Sequence, residues 1–123
     1  LRELVILRGA QLMRAEYEWA QHLQMARKAG VREAQIAALA QWRDSGEFDA
    51  REKAALLLAE AVTRADVTDE VYAAAARHFD HATYVELALT AAFYAMVGRM
   101  LAAMRIELEP EFGDYTPQLP WPA

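Results

Sequence analysis

Two side chains near the start of the chain have the types and the spacing for acid–base chemistry. Glu18 and His22 stand four residues apart, the interval that sets two side chains one turn apart on one face of a helix. A carboxylate placed there can hold an imidazole, fix which ring nitrogen carries the proton, and raise its pKa toward neutrality. Such a pair can move protons near pH 7. Glu16, Tyr17, Trp19 and Gln21 crowd the same stretch. The same spacing also suits an ordinary surface pair, worth roughly a few tenths of a kcal/mol.

Composition removes several other chemistries. The chain has 0 cysteines, which excludes disulfides, thiolate nucleophiles, iron–sulfur clusters and cysteine-ligated zinc. His78, Asp80 and His81 lie together between two helices, but they match no defined metal-ligand motif, and polar residues in a loop need no further reason. A di-iron bundle asks for Glu-x-x-His on two helices, whereas Glu18 and His22 form Glu-x-x-x-His on one. The 5 methionines read as core gap-fillers. Neither a metal nor an organic cofactor is expected. A net charge of −5 with no basic stripe offers nothing to a phosphate backbone, so nucleic acid is not an expected partner.

The elements that must position the pair are all helical. Apolar residues recur at helical spacing, and no alternating strand pattern is present, so the expected fold is all-α with about six helices. The first spans Leu1 to Met13 and the second Ala15 to Ala29, with Gly30 as its stop and Arg27 and Lys28 suiting the negative end of its dipole. Arg32 to Trp42 reads as the third, before the loop Asp44-Ser45-Gly46. Asp49 with Glu52 opens the fourth, Thr68 caps the fifth, and Thr83 with Glu86 opens the last, running from Tyr84 to about Glu107. That last helix is apolar nearly all round and is expected at the centre of the core and of a subunit interface.

A single helical domain over residues 1–108 is expected, followed by an extended arm over 109–123 rich in proline, with Phe112, Tyr115 and Trp121 suited to docking on a surface. Hydrophobic residues make up 55% of the 123 residues, above the roughly 45–50% of an ordinary soluble domain. Burial between subunits would absorb the excess, although alanine on a helix surface also counts toward it. Arg2 and Glu3 interrupt any leader-like apolar start. The apolar run Leu87 to Gly98 is too short to span a bilayer, so a cytoplasmic protein without a membrane partner is expected. The chain begins inside a helical pattern, as though a segment precedes it.

Three stretches together carry a family resemblance: Arg2-Glu3-Leu4-Val5-Ile6-Leu7, Glu16-Tyr17-Glu18-Trp19-Ala20-Gln21-His22, and Ala26-Arg27-Lys28-Ala29-Gly30-Val31. They resemble the carboxymuconolactone decarboxylase family, and Val85-Glu86-Leu87 running on to Phe93-Tyr94-Ala95-Met96-Val97 is similar to its closing helix. The resemblance covers the chain to about Met104. It implies an all-helical fold shared with alkyl hydroperoxidase D, assembled as trimers or hexamers with sites at or near subunit interfaces. The peroxidase branch uses Cys-x-x-Cys followed by His, with an upstream Glu. Those positions fall on Ala15, Glu18, His22 and Glu3, so both thiols are absent while Glu and His remain. The decarboxylase branch likewise keeps a Glu at the second cysteine position. Arg14 stands where many relatives have Gly, and Ala95 where Asn is common.

The resemblance implies a cofactor-free lyase acting on a small carboxylated lactone or a related enolisable acid. His22 would transfer the proton, Glu18 would orient it, and Glu3 would be a second acid or a positioning group. Tyr17 and Trp19 would line the approach or pack, and Arg14 is the basic residue assigned to substrate, with Arg8 and Arg99 as further candidates for a carboxylate clamp. Isomerisation or lactone hydrolysis would use the same pair. A non-catalytic oligomeric module of the same fold is the alternative from a different class, and convergence of Glu3, Glu18 and His22 on one pocket discriminates the two.

Overall fold

Local capping chemistry sets most helix boundaries in the structure, a computed structural model that describes residues 1–112, without the side chain of Phe112. Helix α1 runs Arg2–Met13, α2 Glu16–Lys28, α3 Glu33–Ala38 with a 3-10 turn Leu39–Gln41 after it, α4 Ala50–Thr63, α5 Asp69–Ala76 and α6 His81–Ala103. Among the described residues there is no strand. The Asp49 carboxylate accepts a hydrogen bond from the Glu52 amide at 2.7 Å while Glu52 accepts from the Asp49 amide at 2.9 Å. This is the reciprocal box the sequence predicts. The Thr68 hydroxyl accepts from the Val71 amide at 3.2 Å. Gly30 holds φ 95° after α2, a left-handed conformation that costs a side chain but not glycine.

Three boundaries differ from expectation, one being the end of the last helix, at Ala103 and not about Glu107. The expected third helix tightens to a 3-10 turn after Ala38. The last helix starts earlier, because Asp80 rather than Thr83 is its cap: the Thr83 amide donates to the Asp80 carboxylate at 2.7 Å. Both residues are good caps three positions apart, and the ionised one wins. Of the expected arm, Pro110–Phe112 forms a 3-10 turn. Tyr115, Trp121 and the side chain of Phe112 lie outside the described residues.

The centre of the bundle is α1 and not α6. Every residue from Leu4 to Gln11 is buried, and α1 touches α2, α4 and α6. Leu4, Leu7 and Ala10 face one core cluster, with Trp19, Leu23, Ile36, Leu39 and Trp42. Val5 faces a second, with Ala55, Leu58, Phe79 and Leu87. In contrast, α6 packs through Leu87, Thr90, Ala91, Ala95 and Gly98, a face dominated by small residues that allow close approach. Its large residues Val85, Leu89, Phe93, Met96, Met100 and Met104 are exposed, Leu89 at 63%. The physical reason is that a helix apolar on all sides has more apolar surface than one bundle can cover. By length and composition His81–Ala103 passes as a membrane span, longer than the Leu87–Gly98 run, while its small-residue face is buried against the bundle.

A buried ionic network ties the centre to the periphery. Arg8 donates to Glu60 through Nε at 2.8 Å and Nη2 at 2.7 Å, and to Gln11 at 2.7 Å. Trp42 Nε1 and Arg43 donate to the same carboxylate at 2.8 Å and 2.7 Å. Burial alone would raise the Glu60 carboxyl, but these hydrogen bonds and the Arg8 charge outweigh it and hold it below the usual carboxylate range. Arg8 is thereby engaged in the core, and Arg99 donates to the Thr63 carbonyl at the end of α4 at 3.1 Å. Arg8 is therefore not available as the substrate clamp considered above.

Candidate active site

Three helices meet at the acid–base residues. The first turn of α1 supplies Glu3, α2 supplies Tyr17, Glu18, Gln21, His22 and Met25, and α6 supplies Tyr94, Val97, Leu101 and Gly98. An open groove of about 320 Å³ runs between α2 and α6, with Glu18 and His22 in its wall and Met25, Val97 and Leu101 as its apolar part. Glu18 and His22 are thus brought together in one groove wall, while Glu3 is not part of the lining and reaches the site only through its contact with His22.

Their pairing differs from the expected one. His22 is buried, and its Nδ1 lies 2.9 Å from Oε2 of Glu3. A carboxylate on that nitrogen accepts its proton, so Nδ1–H donates and Nε2 is left as the base of the neutral ring. The Tyr94 ring stands edge-on to the imidazole, with centroids 4.8 Å apart, and the Tyr94 hydroxyl accepts from Arg2 at 3.4 Å. Glu3, not Glu18, therefore orients His22. One helical turn brings Glu18 and His22 to the same face, but α1 crosses that face with a carboxylate of its own.

Glu18 is the outlier of the fold. The residue is 2% exposed, and neither carboxyl oxygen has a hydrogen-bond partner or contact with solvent. Burial pushes its pKa up to about 8, because a charge without water or a counterion is strongly disfavoured. At neutral pH it is a protonated acid. Gly98 makes the space for it: a Cβ there would stand 3.1 Å from Glu18 Oε2 and 2.8 Å from Met13 Cε. An unsatisfied buried acid beside an oriented imidazole gives an acid and a base at one groove.

The groove has a polar rim. Tyr17 Oη donates to Glu109 Oε1 at 2.6 Å and Gln21 Nε2 to Glu109 Oε2 at 3.3 Å. The hydrogen bond from Tyr17 holds Glu109 below its ordinary value, and the same bond holds the Tyr17 phenol above its own. Two expected substrate contacts are not in the groove. Trp19 is buried in the core with Leu4 and Leu7, since its position on α2 turns toward α1. Arg14 caps α1 in the left-handed conformation, φ 52°, where a glycine would be unstrained. It lines a neighbouring cavity of about 180 Å³ with Met13, Glu16 and Gly98. Tyr94, Val97 and Leu101 were not singled out, although their spacing of three and four along α6 marks a single face. His78 and His81 are exposed, and Asp80 between them is the α6 cap.

Comparison with known proteins bears on this arrangement. Residues 1–61, which carry Glu3, Glu18 and His22, match the model of the carboxymuconolactone decarboxylase family. The chain belongs to that family. Over 91 residues it is 35% identical to the uncharacterized protein YdfG of Bacillus subtilis (strain 168), a match covering 72% of this chain and 62% of that protein. The chain thus spans about three-fifths of that relative's length. A solved structure from Agrobacterium tumefaciens, of unknown function and proposed to be the antioxidant defence protein AhpD, superposes with a TM-score of 0.82. It covers 88% of this chain and 76% of that one at 22% identity, a likeness of fold. The carboxymuconolactone decarboxylase family assignment and the six helices agree with the all-α, AhpD-like bundle expected from the sequence. These 123 residues contain 0 cysteines and so present no thiol for peroxidase chemistry.

Proposed function

We propose that this protein is a cofactor-independent acid–base enzyme, a carboxy-lyase acting on a small carboxylated lactone or a related enolisable acid in a cytoplasmic setting. One observation carries the reading: a neutral, unpartnered Glu18 and a His22 oriented by Glu3 share one partly apolar groove. The conjugated carbonyl of such a substrate accepts the electron pair released when the C–CO₂ bond breaks, so neither a metal nor pyridoxal is required as a sink. Glu18, protonated at neutral pH, turns its carboxyl from its buried position beside Gly98 into the groove and donates a hydrogen bond to the dienolate oxygen as charge develops there. His22 takes up a proton from solvent on Nε2 and delivers it to the carbon that lost CO₂, so that substrate carboxylate plus one proton give the protonated product and carbon dioxide. Isomerisation would use the same groups without the bond cleavage.

The partner molecules in this reading are a small-molecule substrate and further copies of the chain, as a trimer or hexamer. The exposed stripe Leu89, Phe93, Met96 and Met100 on α6 supports the second, being apolar beyond what scattered surface residues explain. The deciding experiment is turnover of carboxylated lactones by the parent, His22→Gln and Glu18→Gln, followed by release of carbon dioxide and uptake of solvent deuterium at carbon. Loss of both signals in a folded His22→Gln supports the reading, and a full rate in that variant overturns it.

A further inference from the structure

The hydroxyl of Tyr17 and the side-chain amide of Gln21 belong to the groove wall beside Glu18 and His22, yet in this structure neither faces an empty groove. Both donate to one carboxylate, that of Glu109, each to a different oxygen, at 2.6 Å and 3.3 Å. Glu109 is 92 and 88 residues away from them along the chain, on the segment that follows α6. Two neutral donors set one turn apart on α2 grip a carboxylate side-on, as a recognition site for a carboxylate would.

We propose that Tyr17 Oη and Gln21 Nε2 form a carboxylate-binding subsite, which the chain fills with its own Glu109 when no substrate is present. The reading rests on the acid–base function above only for where the rest of a bound acid would lie, across His22 toward Glu18. Several features fit a substrate subsite. The donors are uncharged, so a carboxylate held there is released again without breaking an ion pair. Two carboxylates already act on Tyr17, those of Glu109 and Glu111. An incoming anion is therefore favoured only by displacing the resident one, which makes Glu109 a competitor held at high local concentration.

A purely structural clasp, pinning the end of the chain to α2, would make the same two bonds. Titration separates the two. Benzoate and its uncharged counterpart benzamide are added to the parent chain, Glu109→Ala, Glu109→Gln, and Glu109→Ala combined with Tyr17→Phe or Gln21→Leu. Binding is followed through the Tyr and Gln side-chain NMR signals. If Glu109 fills the subsite about nine-tenths of the time, its removal tightens benzoate about tenfold. Benzamide is expected to gain far less. Glu109→Gln, which keeps the shape and loses the charge, is expected to gain as well, and serves if the alanine variant is poorly folded. Both second substitutions are expected to erase the gain. Benzoate binding no tighter in either Glu109 variant, or a gain that survives both Tyr17→Phe and Gln21→Leu, overturns the assignment. The readout needs no turnover. A benzoate gain in a protein that turns over no carboxylated lactone would count against the acid–base function and not against the subsite.

Discussion

His22 hydrogen-bonds to Glu3 of α1, 19 residues away, and not to Glu18 on its own helix. Nδ1 lies 2.9 Å from Glu3 Oε2, while both oxygens of Glu18 are without a partner. The two carboxyl groups thereby take separate roles, Glu3 orienting the imidazole and Glu18, neutral, able to donate. Glu3→Leu removes the acceptor that fixes the imidazole and is expected to lower turnover by up to about 100-fold, the scale of a small misplacement of a reacting group. Glu3→Gln keeps an acceptor carbonyl and is expected to lose less. Steady-state rates for both, beside circular dichroism to verify folding, check this. Equal losses in the two variants would remove the orienting role.

Glu18 makes stability depend on pH in an unusual direction. Its carboxyl titrates at about 8 in the folded chain against an ordinary 4.5. Between those values the unfolded chain has lost a proton that the folded chain keeps. Stability therefore falls as pH rises through this window, by up to about 1.4 kcal/mol per pH unit, and levels off above it. Glu18→Gln carries no titrating proton, so its stability is expected to vary less from about pH 5 to 8. Urea midpoints at several pH values test the difference. Parallel curves for parent and variant would mean that Glu18 is not held neutral.

Gly98 is the position where α6 yields space to the acid. Alanine there would place a methyl 3.1 Å from Glu18 Oε2 and 2.8 Å from Met13 Cε. The flexible end of Met13 can move, so the overpacking cost of about 1–3 kcal/mol is partly offset by the roughly 1 kcal/mol that Ala gains over Gly within a helix. The carboxyl of Glu18, by contrast, must shift. Gly98→Ala is expected to lose more activity than stability, on the order of 10-fold or more in turnover with a stability change of about 0–2 kcal/mol. Paired kinetic and denaturation data decide it: full activity would show that the position of Glu18 is not critical.

How much of this was legible follows from where the deciding contacts lie. Asp49, Glu52, Thr68 and Gly30 act within a few residues of themselves, so the sequence announces them. Thr83 and Asp80 compete locally, and only the folded helix shows which one caps it. The candidate pair was visible as Glu18 and His22, because the positions are close and the family pattern covers them. Its wiring was not visible, since Glu3 reaches His22 only after α1 and α2 pack. The neutrality of Glu18 depends on Gly98 and Met13, from two other helices. Trp19 showed the same failure in reverse, being an aromatic residue beside the site that turns into the core.

The apolar stripe on α6 bears on assembly. Phe93 and Met96 are 54% and 51% exposed, on the helix that also supplies Tyr94 and Val97 to the groove. Phe93→Glu with Met96→Glu would place charges in any interface built on that stripe, where they are costly. Light scattering coupled to gel filtration is expected to show oligomers for the parent and monomers for the double variant. A parent that is monomeric at micromolar concentration would remove the oligomeric part of the proposal.

Glu60 has the opposite pH sign from Glu18, and its removal tests the core rather than the groove. Its carboxylate accepts from Arg8, Trp42 and Arg43, contacts that join α1, the turn after α3, and α4. Because these bonds hold its folded pKa below the ordinary value, the stabilisation they give is present above about pH 4.5 and is lost as pH falls through the folded pKa. Glu60→Ala leaves the buried Arg8 guanidinium without its counterion, and breaking a buried pair from one side costs about 3–5 kcal/mol. Replacing both partners by apolar residues, as in Arg8→Met with Glu60→Leu, removes the charge along with its partner. That double variant is expected to recover a large part of the loss, although Trp42 and Arg43 then give up their acceptor. Urea denaturation of the parent, the single and the double variant separates the terms. A single variant within about 1 kcal/mol of the parent would mean that water replaces Glu60 around Arg8. A double variant no better than the single would instead place the stabilisation in the Trp42 and Arg43 bonds.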